Sequence, residues 1–254
     1  MKKLLTLMLL LPTLALANLK TITLTDKNTI SFKGPVTSQS VAAKQLELFN
    51  LAATSQEKDI YLVLYTPGGS VSAGSLFIDT ARALGKNIHT ITIFSASMGY
   101  HTVQGLGKRY ILPSGVLMSH RAYVSGLAGQ FPGELNERIN MLMKSTEELD
   151  RIAANRVGLK LEEYKSIIHD ELWLTGADAV RRGHADEVIQ AVCDQSLNGT
   201  YNEVFQTFFG PVNVEFAKCP LIVGAVGFGG NNEAIMEVKK NILDDVTKKV
   251  MTLP

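Results

Sequence analysis

Up to about residue 190 the apolar positions switch repeatedly between a period of two and a helical period. Residues 19–24 alternate (Leu-Lys-Thr-Ile-Thr-Leu), which predicts a strand, and a second strand over 28–32 is expected to pair with it. Thr37 and Ser38 can cap a helix that carries Val41, Leu46, Leu48 and Phe49 at helical spacing. The run 59–65 is almost wholly apolar, the mark of a strand covered on both faces. It ends in Pro67-Gly68-Gly69, after which a helix is expected over 73–84, closed by Gly85. A strand over 88–94 then runs into a turn at Ser97 and a short helix. Residues 108–113 and 116–118 read as two further strands. Helices are expected over 133–155, 161–169 and 177–183, ending near the apolar stretch 185–189.

Strand and helix alternate, so the fold class is α/β with a largely parallel sheet. The alternation stops near residue 190. Residues 194–200 are polar and turn-rich, and the tail beyond has a β-like middle and a final helix. In that helix Ile235, Val238, Ile242, Val246 and Val250 share a face, with Lys239, Lys240, Lys248 and Lys249 opposite. A face of this kind packs on the main domain or on a second subunit.

The N-terminus alters the compartment. Lys2 and Lys3 precede an apolar stretch over 4–14, followed by Ala15-Leu16-Ala17. This is the pattern of a secretory signal peptide, too short for a membrane span, and it places the mature start at Asn18. The expected organisation is a signal peptide over 1–17, a main domain over 18–190 and an extension over 191–254. The expected location is periplasmic or secreted. Residues 220–230 are apolar but carry four glycines, and no other stretch has membrane length.

Composition excludes some classes. The chain has 254 residues, 46% of them hydrophobic, enough to bury a full core. Loss of Lys2 and Lys3 from 25 basic residues leaves 23 against 24 acidic, a formal charge of −1. Neither a basic excess for nucleic acid nor an acidic tail is present. Cys193 and Cys219 are a disulfide candidate in an oxidising compartment, with two buried thiols as the alternative. The histidines and cysteines have no zinc spacing, and neither metal nor cofactor is expected.

Three scattered segments carry candidate chemistry. Ala96-Ser97-Met98-Gly99 presents a serine among small neighbours at a strand end. Alone it equally describes a helix cap, with Ser95 as the rival capping residue. Gly68-Gly69 offers backbone N–H groups, and the amides of Gly69 and Met98 are assigned as donors to a developing oxyanion. His120 follows the apolar run 116–118, where a strand end places it at a cleft. His101 lies one turn after Ser97 and is expected to point away from that cleft. His89, His169 and His184 have poorer settings. A serine nucleophile needs a base, and the base needs a carboxylate to hold its other nitrogen. Asp170 and Glu171 are the two candidates.

Together these residues resemble the proteolytic subunit of the Clp protease, a serine peptidase of the ClpP/crotonase superfamily. The resemblance covers about 19–189. Its blocks are Asp59-Ile60-Tyr61-Leu62, Thr66-Pro67-Gly68-Gly69-Ser70-Val71-Ser72-Ala73-Gly74, Ala96-Ser97-Met98-Gly99, Gly107-Lys108-Arg109-Tyr110-Ile111-Leu112-Pro113, Met118-Ser119-His120 and Trp173-Leu174-Thr175-Gly176-Ala177-Asp178-Ala179-Val180. It implies a fold of stacked β-β-α units, Ser97 as nucleophile, His120 as base, and Gly69 and Met98 as oxyanion donors. Ungapped alignment of the last block puts the triad acid on Glu171, where the family usually has aspartate; Asp170 is the second choice. His120 is followed by Arg121-Ala122-Tyr123 rather than the usual Gln-Pro, so the substrate-binding strand differs.

The resemblance implies a homo-oligomer acting on peptides or unfolded proteins. Family members depend on ATP-driven unfolding rings, and a compartment without ATP implies action without one. Three rivals remain. A related signal-peptide-peptidase-like enzyme would pair Ser97 with a lysine, for which Lys86 and Lys108 are available. A crotonase-type enzyme would bind an acyl-CoA thioester, a cytoplasmic substrate. A non-catalytic binding or assembly module would use the scaffold alone.

Overall fold

The computed structural model describes residues 19–124 and 126–240. The expected signal peptide lies outside the described residues, as do Ile242, Val246, Lys248, Lys249 and Val250.

The near-continuous apolar run forms β3 (Asp59–Thr66), and its two faces bury against different layers. Ile60, Leu62 and Leu64 join a core with Phe77, Ile78, Tyr100, Val103 and other helix residues. Val63 points the other way, into a second cluster with Ile22, Leu24, Ile91 and Ile189. A strand with solvent on neither side has no reason to alternate, so the pattern lost its polar positions.

The central sheet runs β2 (Thr29–Lys33), β3, β4 (Asn87–Ala96), β5 (Arg109–Ser119) and β6 (Leu172–Thr175). The first four are parallel, and β6 is antiparallel to β5. The short β7 (Glu187–Val188) also pairs with β5, in parallel. Helices α1 (Ser38–Thr54), α2 (Val71–Ala83), α3 (Met98–Gly105), α4 (Gly133–Val157), α5 (Leu161–Ile167) and α6 (Gly176–Arg181) complete the layer on one face. Thr37 caps α1 by accepting the Ser40 N–H at 3.1 Å. The architecture is α/β with a largely parallel sheet.

Two pairings differ from the sequence expectation. The strand β1 (Thr21–Leu24) does not pair with β2; it pairs in parallel with β8 (Gln190–Cys193). Its Ile22 and Leu24 thereby cover the second face of the central sheet. The segments 108–113 and 116–118 are one strand, β5, and not two. Pro113-Ser114-Gly115 sits at a register shift opposite Thr92 and Phe94, where a proline costs no ladder hydrogen bond.

Beyond β8 the strands β9 (Thr200–Thr207), β10 (Gly210–Ala217) and β11 (Ala225–Gly229) form a separate antiparallel sheet. A helix beginning at residue 232 packs Ala234 and Val238 onto Val212 and Val214, with Lys239 and Lys240 exposed. Cys193 and Cys219 are joined by a disulfide that ties this sheet to the β1–β8 layer. The bridge spans 26 residues, worth about 3 kcal/mol of restricted unfolded-chain entropy. A Cys193→Ser/Cys219→Ser double variant is expected to lose roughly that amount, read as a lower urea midpoint with a slope that is equal or steeper as the unfolded chain expands. An unchanged midpoint would show that the bridge does not restrain unfolding. No described helix is long and apolar enough to cross a membrane.

Candidate active site

Sheet register brings the three chemical segments together. Ala96 at the end of β4 pairs with Met118 of β5, so residue 97 emerges beside residues 119 and 120. Across the antiparallel β5–β6 pair, Ser119 faces Leu172, so His120 and Glu171 leave the two strands next to one another. Three positions far apart in the chain thus meet at one end of one sheet.

Ser97 occupies a strained corner between β4 and α3, at φ 56° and ψ −118°. A non-glycine residue at such dihedrals persists only where its surroundings hold it. The Ser97 N–H donates to the Met118 carbonyl at 2.9 Å, and the Ser97 carbonyl accepts from His101 N–H at 3.2 Å. The loop after β3 packs directly under the corner. A Cβ on Gly68 would lie 2.5 Å from the Ala96 oxygen and 2.7 Å from the Met98 nitrogen. Gly69 adopts φ +146°, and a Cβ there would meet the Val36 oxygen at 2.3 Å. Only glycine allows this close approach.

Ser97 holds the N-cap position of α3, but its hydroxyl makes no capping hydrogen bond. Nor does Ser95, whose buried hydroxyl has no hydrogen-bond partner among the described residues. The Ser97 Oγ instead lies 2.8 Å from His120 Nε2. With the hydroxyl donating to Nε2, Nδ1 carries the other proton and faces Glu171 Oε1 at 4.0 Å. That separation exceeds a hydrogen bond, though catalytic contacts often tighten only around substrate. Glu171 itself is held at φ 70°, and its Oε2 accepts the Trp173 indole N–H at 3.0 Å. Asp170 points elsewhere, exposed and 2.6 Å from His169 Nδ1.

The proposed oxyanion donors flank the same cleft, which Gly69, Ser97, Met98 and His120 all line. The Met98 N–H belongs to the first residue of α3, where helical bonding supplies no acceptor. Around Gly69 the backbone pairing with Val36 uses Ser70 N–H and Gly68 carbonyl. A nucleophile with a base in contact, beside backbone donors, is the equipment of acyl transfer.

The lysines of the serine–lysine alternative lie far from Ser97. Lys86 precedes β4 and donates to the Ser55 and Glu57 carbonyls, while Ser97 follows the opposite end of that ten-residue strand. Lys108 precedes β5, at the same far end of the sheet. Three histidines are also placed elsewhere. His89 accepts the Lys108 N–H, His169 contacts Asp170, and buried His184 bonds the Tyr100 hydroxyl at 2.8 Å.

His101 is the exception, and the expectation that it points away from the cleft is incorrect. It lies on the cleft wall together with Thr146, Leu149 and Asp150 of α4. Residues four apart share a helix face, so the spacing from Ser97 carried this information. Burial pushes the His101 imidazole down to about 4, with the His120 ring adding to the effect and the Leu149 backbone opposing it. Asp150 carries no motif, and its place on the wall depends on how α4 packs against α3.

The family model described as Clp protease matches residues 17–192, more than two-thirds of the 254-residue chain. The matched region ends at β8, before the three-stranded sheet. The chain therefore belongs to the Clp protease family of serine-type peptidases.

Proposed function

We propose that the protein is an ATP-independent serine endopeptidase that cleaves peptides or unfolded chains outside the cytoplasm. Ser97 Oγ attacks the scissile carbonyl, and His120 Nε2 takes its proton. The amides of Gly69 and Met98 receive the charge that develops on the carbonyl oxygen. His120 then gives the proton to the departing amine, leaving an acyl-serine. Water, deprotonated by the same imidazole, releases the acyl group. Glu171 keeps the imidazole in the tautomer that accepts from serine and stabilises the imidazolium. The observation that carries this reading is the 2.8 Å contact between Ser97 Oγ and His120 Nε2.

Two features support action outside the cytoplasm: the signal-peptide pattern over 1–17 and the Cys193–Cys219 bridge. ATP independence follows from that compartment. Association with further copies of the chain is part of the same reading. Family members are typically oligomeric, and α4 exposes Ile139, Met141 and Met143.

Hydrolysis of unstructured peptides by the protein as its producing cell processes it tests the function. Cleavage is expected at one rate with and without ATP. Cleavage that appears only with an ATP-driven unfolding ring would overturn ATP independence, and absence of cleavage would overturn the peptidase reading.

A further inference from the structure

We propose that Asp150 makes the pocket beside Ser97 a subsite for a basic side chain, lysine or arginine, next to the cleaved bond. This inference rests on the peptidase reading of the same cleft.

The pocket is small. Its cavity is about 170 Å³, with Met98, His101, Thr146, Leu149 and Asp150 around Ser97. Drug-sized ligands occupy about 300–1,000 Å³, so this space suits one side chain and not a whole ligand. Its chemistry is divided. Met98 and Leu149 give it apolar lining, and Asp150 adds a carboxyl to the same wall. Lysine and arginine have the matching division, an apolar stem with a charged tip.

The carboxyl is poorly compensated. Its side chain is 17% exposed, and its ion-pair contact among the described residues is His101 Nε2 at 3.9 Å. His101 is held neutral by burial and supplies no positive charge at pH 7. Burial pushes the Asp150 carboxyl up to about 6; Glu147 adds to the rise, while Lys165 and Arg121 oppose it. Lys165 is itself engaged with Glu147 at 3.2 Å. The Asp150 carboxylate is thus mostly ionised at neutral pH and, among the described residues, has no lysine or arginine in contact. A substrate ammonium or guanidinium fills that role with three or five donors. A leucine in the same space buries the carboxylate further and gives it nothing.

The test is digestion of a randomised peptide library, with cut sites read by mass spectrometry. Wild-type protein, Asp150→Asn and Asp150→Leu are compared, and circular dichroism confirms the fold of each variant. Wild type is expected to cut beside Lys and Arg at least about tenfold more often than beside Leu and Met. In Asp150→Asn that ratio falls by about tenfold or more, and in Asp150→Leu it inverts, on the scale of a lost charged partner in a binding pocket. Two results overturn the subsite alone: wild-type cuts mainly beside aliphatic residues, or a ratio unmoved in both variants. No cut in any peptide overturns the peptidase reading, and the subsite with it.

Discussion

Replacing Ser97 with alanine is expected to lower kcat for peptide hydrolysis on the order of 10⁶-fold while leaving the protein folded. The size follows from the role assigned to the hydroxyl, because an enzyme that has lost its nucleophile keeps only what binding and oxyanion contacts give to water attack. The fold survives because alanine has the same Cβ as serine and meets the same strain at φ 56°. What is lost structurally is one partly exposed hydrogen bond to His120, about 1 kcal/mol, or a few degrees in Tm. Hydrolysis assays beside a thermal melt read both quantities. Activity that persists in a folded Ser97→Ala protein would contradict the assignment.

The second large effect separates two adjacent acids. Glu171→Gln is expected to cost about 10³–10⁴-fold in kcat, since the amide no longer favours the imidazole tautomer that accepts from serine. Asp170→Asn is expected to change the rate by less than about twofold, as an exposed carboxylate that contacts His169 and not His120. The contrast has a structural origin. Residue 171 faces residue 120 by continuation of the β5–β6 register, and residue 170 lies one position beyond. Glu171 stands 4.0 Å from His120 Nδ1, steadied by the Trp173 N–H, so binding of substrate needs to close only a short gap. A full loss in Asp170→Asn with none in Glu171→Gln would move the acid to the neighbouring position.

Much of the central layer was legible because local pattern determines it. The apolar run of β3, the cap at Thr37 and the glycines after Thr66 each state their role within a few residues. Long-range pairing was not legible. Nothing in Thr21–Leu24 indicates that its partner is Gln190–Cys193 and not the strand that follows it. The four residues of β6 are too few to show a period, yet they position Glu171. Pro113 and Gly115 look like a break because proline and glycine usually are one, whereas here they form a bulge within β5.

The site divides in the same way. Ser97, His120, Gly69 and Met98 lie in short segments whose composition suits their chemistry. The wall of the pocket does not. His101 faces the cleft because it is one helical turn from Ser97, a relation that the expectation of an outward histidine overlooked. Asp150 reaches the cleft from the C-terminal half of a 25-residue helix with four other acids. Only the packing of α4 on α3 distinguishes it from them.

Covalent capture of the nucleophile tests the central claim most directly. The processed protein is treated with a fluorophosphonate, digested and mapped by mass spectrometry. The adduct is expected on Ser97, with none in Ser97→Ala and a sharp reduction in His120→Ala. An adduct on a different serine, or labelling that ignores the loss of His120, would contradict the account.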